Sequence, residues 1–356
     1  MAVRPQRIGV LTFHKCVNYG SYWQARSLAQ GLQAYGYDAE LLDHDCESVR
    51  RAEAKCALQP KLPQRTSRWE MPQYRAKARK FVDAVARLPL SRRFSLDDPE
   101  AAGEYDAIVV GSDEVWNFRH PWYGSKPIFF GDGLKADRLV SYAASFGNHS
   151  AWDGIDPGWA NKLQQFSAIS VRDENSRVLV KDGLEREPAV VLDPCLQFPE
   201  LAAAEPVSSG DYALLYGYGF PGWLSAHVRR WSERTGIPLL SVGYSNDWAD
   251  EQRINAGPIE FARLIAGARA VVTNFFHGCV FSLLYGKPWV TAPSEYRSIK
   301  IPDLASLLGV QSHVVDEQVS AASVAELLDT PMTPEVARRL QELRGRSEAY
   351  LHEALS

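Results

Sequence analysis

Apolar runs closed by Gly, Pro, Asn or Asp alternate along this chain with longer amphipathic stretches, the pattern of parallel βα units. The runs predict strands at Ile8–Phe13, Ala39–Asp43, Ala107–Asp113, Leu139–Ser145, Ala168–Arg172 and Ala189–Asp193. A helix is expected from Ser21 to Tyr35, before Gly36, and another after Asp173, a good N-cap residue, through Val180. A second alternation predicts strands at Tyr212–Tyr218, Pro238–Tyr244, Ala270–Asn274 and Trp289–Ala292. Its helices are expected at Gly222–Thr235, Pro258–Ala266 and Gly278–Tyr285. Pro334–Leu355 reads as one charged amphipathic helix.

Between the two alternations, Pro199–Gly210 has the composition of a linker. The expected organisation is an N-terminal domain at 1–204 with a basic helical insertion at about 47–103. A C-terminal domain follows at 210–330, then a final helix at 334–355. A chain of 356 residues has material for two cores. Open α/β sheets bind ligands at the carboxyl ends of their strands, so chemistry is sought there.

Charge and cysteine content narrow the class. Lys and Arg number 39 against 43 Asp and Glu, a balance that argues against nucleic acid as a partner. Apolar runs are too short for a membrane span or a signal-peptide core. The five scattered cysteines suit a reducing compartment, so a cytoplasmic protein is expected. Between Lys61 and Arg93, ten basic residues face only Glu70 and Asp83. We read this segment as a solvated helical face whose stripe of Phe81, Val82, Val85 and Leu88 packs on its domain. The alternative is a surface for an anionic partner, which leaves open a peripheral contact with the inner face of a membrane.

Four strand ends carry candidate chemistry. After the first strand, Thr12–Ser21 forms a polar turn where His14 and Asn18 face a ligand or merely cap the loop. Val109–Asn117 contains Gly-Ser-Asp at its strand end, and Asp113 is placed either to hold a sugar hydroxyl or to cap the segment beginning at Glu114. Arg172 ends the Ile169 run, where a planar guanidinium suits a carboxylate or phosphate and a salt bridge is the alternative. The sharpest is Val271–Gly278, a buried strand closing in His277 with Gly278 opening an apolar helix. A histidine there can exchange a proton with a ligand, beside helix N–H groups that favour an anion. Asp43-His44-Asp45-Cys46 lacks paired ligand spacing, so no metal is expected. The Thr12–Ser21 loop has only one glycine, so no dinucleotide cofactor is expected.

On these segments the chain resembles the polysaccharide pyruvyl transferase family. The matching pieces are TFHKCVNYGSYWQARSLAQGL at 12–32, YDAIVVGSDEVWN at 105–117, ISVRDENS at 169–176 and VLDPCL at 191–196. Two more are EFARLIAGARAVVTNFFHGCVFSLLYGKPWV at 260–290 and RSIKIPDLASLLG at 297–309. The resemblance implies an α/β fold of two Rossmann-like domains, GT-B-like, with the last helix packing back on the first domain. It implies a cofactor-free transfer of a pyruvyl group from phosphoenolpyruvate to two hydroxyls of a sugar or lipid-linked glycan, as a cyclic ketal of exopolysaccharide biosynthesis. Family members often carry Arg-x-His-Gly, whose arginine helps hold the donor; this chain resembles a branch with Phe-His-Gly, and Phe275 stands in the arginine's place.

The resulting assignment makes His277 the general acid, since an ordinary histidine titrates near working pH. Donor contacts are expected from Arg172, Asn18, Gly20, Asn274 and Gly278, with Arg297 and Lys300 compensating for Phe275. Acceptor contacts are expected from Asp113, Asn117 and His14. Two other readings stay open: a nucleotide-sugar glycosyltransferase on the same scaffold, and a non-catalytic glycan-binding member.

Overall fold

The computed structural model describes residues 4–206 and 210–356, apart from the side chain of Arg297. The chain opens with β1 (Arg7–Leu11), α1 (Tyr19–Ala34) and β2 (Asp38–Leu41). β3 (His44–Asp45), α2 (Glu47–Leu58), α3 (Met71–Val85) and β4 (Phe94–Ser95) form the insertion. β5 (Glu104–Val110) and β6 (Lys135–Ser141) return to the sheet. Then come α4 (Pro157–Leu163), β7 (Ser170–Val171), α5 (Glu174–Leu184), β8 (Ala189–Val190), α6 (Pro194–Gln197) and α7 (Pro199–Ala202). The second alternation begins with β9 (Ala213–Tyr216), α8 (Gly222–Thr235), β10 (Leu239–Val242), β11 (Glu251–Arg253) and α9 (Pro258–Gly267). It continues through β12 (Ala270–Thr273), α10 (Phe276–Leu284), β13 (Trp289–Thr291), α11 (Lys300–Leu308), α12 (Ala321–Asp329) and α13 (Pro334–Leu355).

Two compact units result. Unit 1 holds residues 1–53, 85–201 and 341–356, and unit 2 holds 54–84 and 202–340. In unit 1 the parallel order β2-β1-β5-β6 continues through single bridges, Val140 to Ala168 and Ala144 to Val171, toward the β7-β8 pair. In unit 2 the order is β11-β10-β9-β12-β13, all parallel, so its five strands run 3-2-1-4-5 in chain order. That is the doubly wound order 3-2-1-4-5, one half followed by the start of a second, with its reversal between β9 and β12. β9 and β12 are buried along their whole length, as helices on both faces of a parallel sheet require.

Helix ends follow the local chemistry. The Asn18 side chain accepts from Gly20 N at 2.8 Å and Ser21 N at 3.2 Å and so starts α1. Asp173 starts α5 by accepting from Ser176 N at 2.8 Å. Within α1, Gly31 lies against the Phe198 ring, where a Cβ would come within 2.6 Å. The last part of α13 is fixed in unit 1 by Leu192 N donating to Ser347 Oγ (3.0 Å) and by the Tyr350 hydroxyl donating to Ser141 O (2.7 Å).

Two expectations change. The insertion does not belong wholly with the N-terminal domain, because 54–84 packs into unit 2. The buried positions of α3 are Tyr74, Lys77, Phe81, Ala84 and Val85, with Leu88 buried just beyond it, while Val82 is 67% exposed and outside the stripe. Lys77 Nζ donates to Gly243 O at 2.9 Å, and Ser245 N donates to the Tyr74 hydroxyl, anchors that the charge pattern concealed. The linker at 199–210 begins as the short α7, and its residues 207–209 lie outside the described residues.

Unit 1 contains two histidines whose pKa is pushed down. His44 is fully buried; burial and the neighbouring His14 push it down to about 3, while one ring nitrogen lies 2.9 Å from Thr12 O. Burial pushes His120 down to about 4, and its Nδ1 accepts from Tyr123 N at 3.1 Å. Below the ordinary histidine value the unfolded chain binds protons that the folded one does not, so stability falls with pH. The unfolding free energy from urea titrations at pH 6.5 to 4.5 should fall by about 2–5 kcal/mol, since each proton bound only by the unfolded chain costs about 1.4 kcal/mol per pH step. A flat profile over that range would contradict it.

Candidate functional site

In unit 1 the carboxyl ends of β1 and β5 meet at the sheet's reversal. Thr12 Oγ1 donates to Ser112 O at 2.9 Å, and Gln24 Nε2 donates to Thr12 Oγ1 at 2.9 Å. Gly111 has φ +122, and a Cβ there would stand 2.2 Å from Tyr142 O, so only glycine fits. Asp113 follows with φ 72, a left-handed conformation that costs a non-glycine residue energy. It is held there by the Ser21 hydroxyl at 2.9 Å and by Arg172.

Arg172 does lie at its strand end, but its side chain is 1% exposed and its charge is met inside the protein. Its two terminal nitrogens reach Asp113 at 3.2 Å and Asp193 at 3.0 Å. Burial opposes the charge, and the two carboxylates more than restore it, so its pKa is raised. The expectation that Arg172 pairs with a ligand anion therefore gives way to a buried ion triad. Asp113 is the member that keeps some exposure, 12% at the side chain.

The neighbouring candidates are similarly engaged. His14 is fully buried between Asp43 (3.1 Å) and Thr12 O (3.3 Å), which removes it from the acceptor contacts. Asn117 Nδ2 donates to Glu114 (2.8 Å) and Asn148 (3.0 Å), so its amide is committed within unit 1. Asn18 caps α1, and Gly20 is one of the donors that it receives. His44, Asp45 and Cys46 border a cavity of about 120 Å³ lined also by Lys15, Arg50, Glu53 and Arg93. Burial pushes the Asp43 carboxyl up, but hydrogen bonds from His14 and Lys15 hold it well below the usual range. Glu53, unnoticed in the sequence, is raised by burial while accepting from Trp122 Nε1 at 3.0 Å.

In unit 2 the carboxyl ends of β9, β10 and β12 carry the candidates. His277 is in the first turn of α10 and 8% exposed. Gly278 lets α10 approach β12, since a Cβ there would stand 2.0 Å from Thr273 Oγ1. Asn274 is 2% exposed, with Nδ2 donating to Tyr218 O at 2.8 Å. Lys300 is buried at the start of α11, its ammonium 6.0 Å from the Phe276 ring and 5.5 Å from that of Tyr296. The structure thus brings Asn274, His277, Gly278 and, through Phe276, Lys300 into one neighbourhood; the Arg297 side chain lies outside the described residues.

Phe275 does not occupy an anion site. Its ring packs on Tyr216 at 4.8 Å, Tyr244 at 5.2 Å and Tyr218 at 5.7 Å between centroids. Lys77 reaches this cluster from α3, its ammonium 4.4 Å from the Tyr244 centroid. Burial pushes the Lys77 amine down to about 7. One feature escaped the hydrophobic pattern: Gly217-Tyr218-Gly219-Phe220-Pro221-Gly222, a glycine spacing that joins β9 to α8. That signal was present in the sequence.

These sheets and their strand-end polar groups define an α/β protein of two Rossmann-like, GT-B-like units. Among solved structures, the fold is similar to that of a putative UDP-N-acetylglucosamine 2-epimerase from Listeria monocytogenes. That pair shows a TM-score of 0.53 and 10% identity over 95% of this chain and 91% of that one. It is also similar to the UDP-GlcNAc 2-epimerase of Neisseria meningitidis bound to UDP-GlcNAc, with a TM-score of 0.51 and 9% identity over 98% and 99% of the two chains. No curated protein matches in sequence at a significant level. The chain belongs to the polysaccharide pyruvyl transferase family, whose model matches residues 18–294. Among the described residues, no helix is long and apolar enough to cross a membrane.

Lys77 offers a direct check on unit 2. Its folded pKa lies below that of an unfolded lysine, so between about pH 7 and 10 the unfolded chain holds the extra proton and stability rises with pH. Chemical denaturation across that range should show a rise of a few kcal/mol in the native protein, at about 1.4 kcal/mol per pH step of one, that Lys77→Met lacks. Identical slopes in the two proteins would show Lys77 to be charged in the fold.

Proposed function

We propose that this protein transfers the pyruvyl group of phosphoenolpyruvate to two hydroxyls of a sugar, releasing phosphate and leaving a cyclic ketal. The observation that carries this reading is His277 in the first turn of α10, directly beyond β12, within a chain of the pyruvyl transferase family. His277 delivers a proton to the methylene carbon of phosphoenolpyruvate, which becomes the ketal's methyl group. One sugar hydroxyl bonds to the central carbon. The second displaces phosphate there, and the hydroxyl protons replace the one that His277 gave and leave with the phosphate.

The phosphate is assigned to the start of α10, whose N-cap Phe275 provides no capping side chain, with Lys300 supplying positive charge near Phe276. Asn274 and Gly278 shape that end of the strand. In unit 1, Arg172 acts as a positioning residue that fixes Asp113, and Asp113 with its remaining exposure is the acceptor contact. A lipid-linked acceptor is supported by Leu62, Trp69 and Val82, which are 49%, 82% and 67% exposed in and beside the basic stretch 61–80.

Phosphate release from phosphoenolpyruvate with a panel of sugar acceptors tests the reading. His277→Gln should keep the fold and the donor affinity while lowering turnover by about 10²–10⁴, the worth of a positioned proton donor. Near-native turnover in that variant would make His277 structural. Turnover that needs a nucleotide-sugar and ignores phosphoenolpyruvate would replace the reading by glycosyl transfer.

A further inference from the structure

Cys46 takes no part in the transfer chemistry and stands where β3 ends and α2 begins. Its carbonyl accepts from Arg50 N at 2.9 Å, the first bond of a 12-residue helix, so Cys46 is the N-cap residue of α2. Its sulfur lies 3.1 Å from the Ser48 hydroxyl. A thiol at a helix start is shifted toward thiolate, the form that reacts. The Ser48 hydroxyl lowers the Cys46 pKa, helped by the Val49 and Ser48 N–H groups and by Lys126, while burial works against them. Cys46 is half-buried and lines the unit 1 cavity of about 120 Å³. One water needs only about 10–15 Å³ of such space.

The second, independent feature is Tyr123, which lines the same cavity and is 3% exposed. Its ring is fixed by stacking on Phe13 at 4.3 Å and by an edge contact with Phe129 at 5.9 Å between centroids. Among the described residues its hydroxyl makes no hydrogen bond. Burial, with Cys16, Glu53, Cys46 and Asp45 close by, raises its pKa, so the hydroxyl keeps a hydrogen to donate. Glu53, Cys46 and Asp45 line the cavity too, which places the hydroxyl toward it. A buried donor without an acceptor is costly, and a small oxygen-bearing molecule in the cavity would satisfy it. The cations of the lining are already matched: Arg50 pairs with Asp45 at 2.8 Å, and Arg93 (3.3 Å) and Lys15 pair with Asp43. The cavity therefore suits a small neutral molecule better than an anion.

We propose that Cys46 is a modification site at which hydrogen peroxide enters this cavity, accepts a hydrogen bond from Tyr123 and oxidises the thiol to a sulfenic acid. The thiolate sulfur attacks one peroxide oxygen, so an S–O bond forms and the O–O bond breaks. The second oxygen leaves as hydroxide and becomes water with the proton that the thiol had released. Sulfur loses two electrons and the peroxide gains them. The cavity has room for the added oxygen. Cys195 and Cys279 are the opposite case, since they are fully buried and burial pushes their thiols up. This site does not depend on the proposed pyruvyl transfer.

Cys56 supplies the comparison. It lies in the last turn of the same helix, where the dipole disfavours a thiolate, and it is more exposed than Cys46. The full chain is treated with hydrogen peroxide and dimedone, which traps sulfenic acids, and the adduct at each cysteine is followed by peptide mass spectrometry. Cys46 should be trapped faster than Cys56 by about tenfold or more. The difference should vanish in urea, where the fold no longer sets the two thiols apart. Tyr123→Phe keeps the ring and should slow trapping at Cys46 several-fold without changing Cys56. Ser48→Ala, at an exposed position, should slow it as well. Four results overturn the proposal: no adduct at Cys46, a rate at Cys56 that equals or exceeds it, the same preference in urea, or unchanged Cys46 rates in both variants.

Discussion

Parallel sheets gather the ends of all their strands at one edge, and a polar group buried there must find a partner or a ligand. The two units of this protein meet that constraint in different ways. In unit 1 the edge closes on itself: Arg172 spans Asp113 and Asp193, Thr12 joins Ser112, and His14 joins Asp43. A buried guanidinium between two carboxylates is strongly destabilising to break, because removing one partner leaves charge uncompensated. Its effect is to hold Asp113 in a left-handed conformation. In unit 2 glycines follow β9, and among the described residues Asn274 Oδ1 has no hydrogen-bond partner and neither α8 nor α10 has a side-chain cap.

A self-neutralised edge positions a carboxylate with little reorganisation, which suits the orientation of a neutral sugar. A helix start without a side-chain cap, as beyond β12, suits a phosphate group. Phe275 then has a physical account. It stands in the arginine's place, yet it completes an aromatic cluster with Tyr216, Tyr218 and Tyr244, and the Lys77 side chain packs over the Tyr244 ring.

Much of this was legible in the sequence. The alternation gave both sheets, and Gly222–Thr235 and Pro334–Leu355 are helices with those bounds. The expected strands ran too far at their carboxyl ends, as at Ile8–Phe13 against Arg7–Leu11, because burial continues past the last ladder bond. β11 was missed since Glu251-Gln252-Arg253 is a polar edge strand without an apolar pattern. Arg172 was misjudged for a different reason: its acids lie 59 and 21 residues away in the chain, and only the fold brings them together. Lys77 was hidden among solvated charges, although it recurs at helical spacing with Tyr74 and Phe81.

The central claim is that phosphate is held at the strand-end edge of unit 2 while the triad of unit 1 holds none. A crystal structure of the protein with phosphoenolpyruvate bound tests it most directly. The account predicts the phosphate at the first turn of α10, within reach of His277 and Lys300, with Arg172 still bridging Asp113 and Asp193. A phosphate or carboxylate bound to Arg172, with that triad broken, would contradict it.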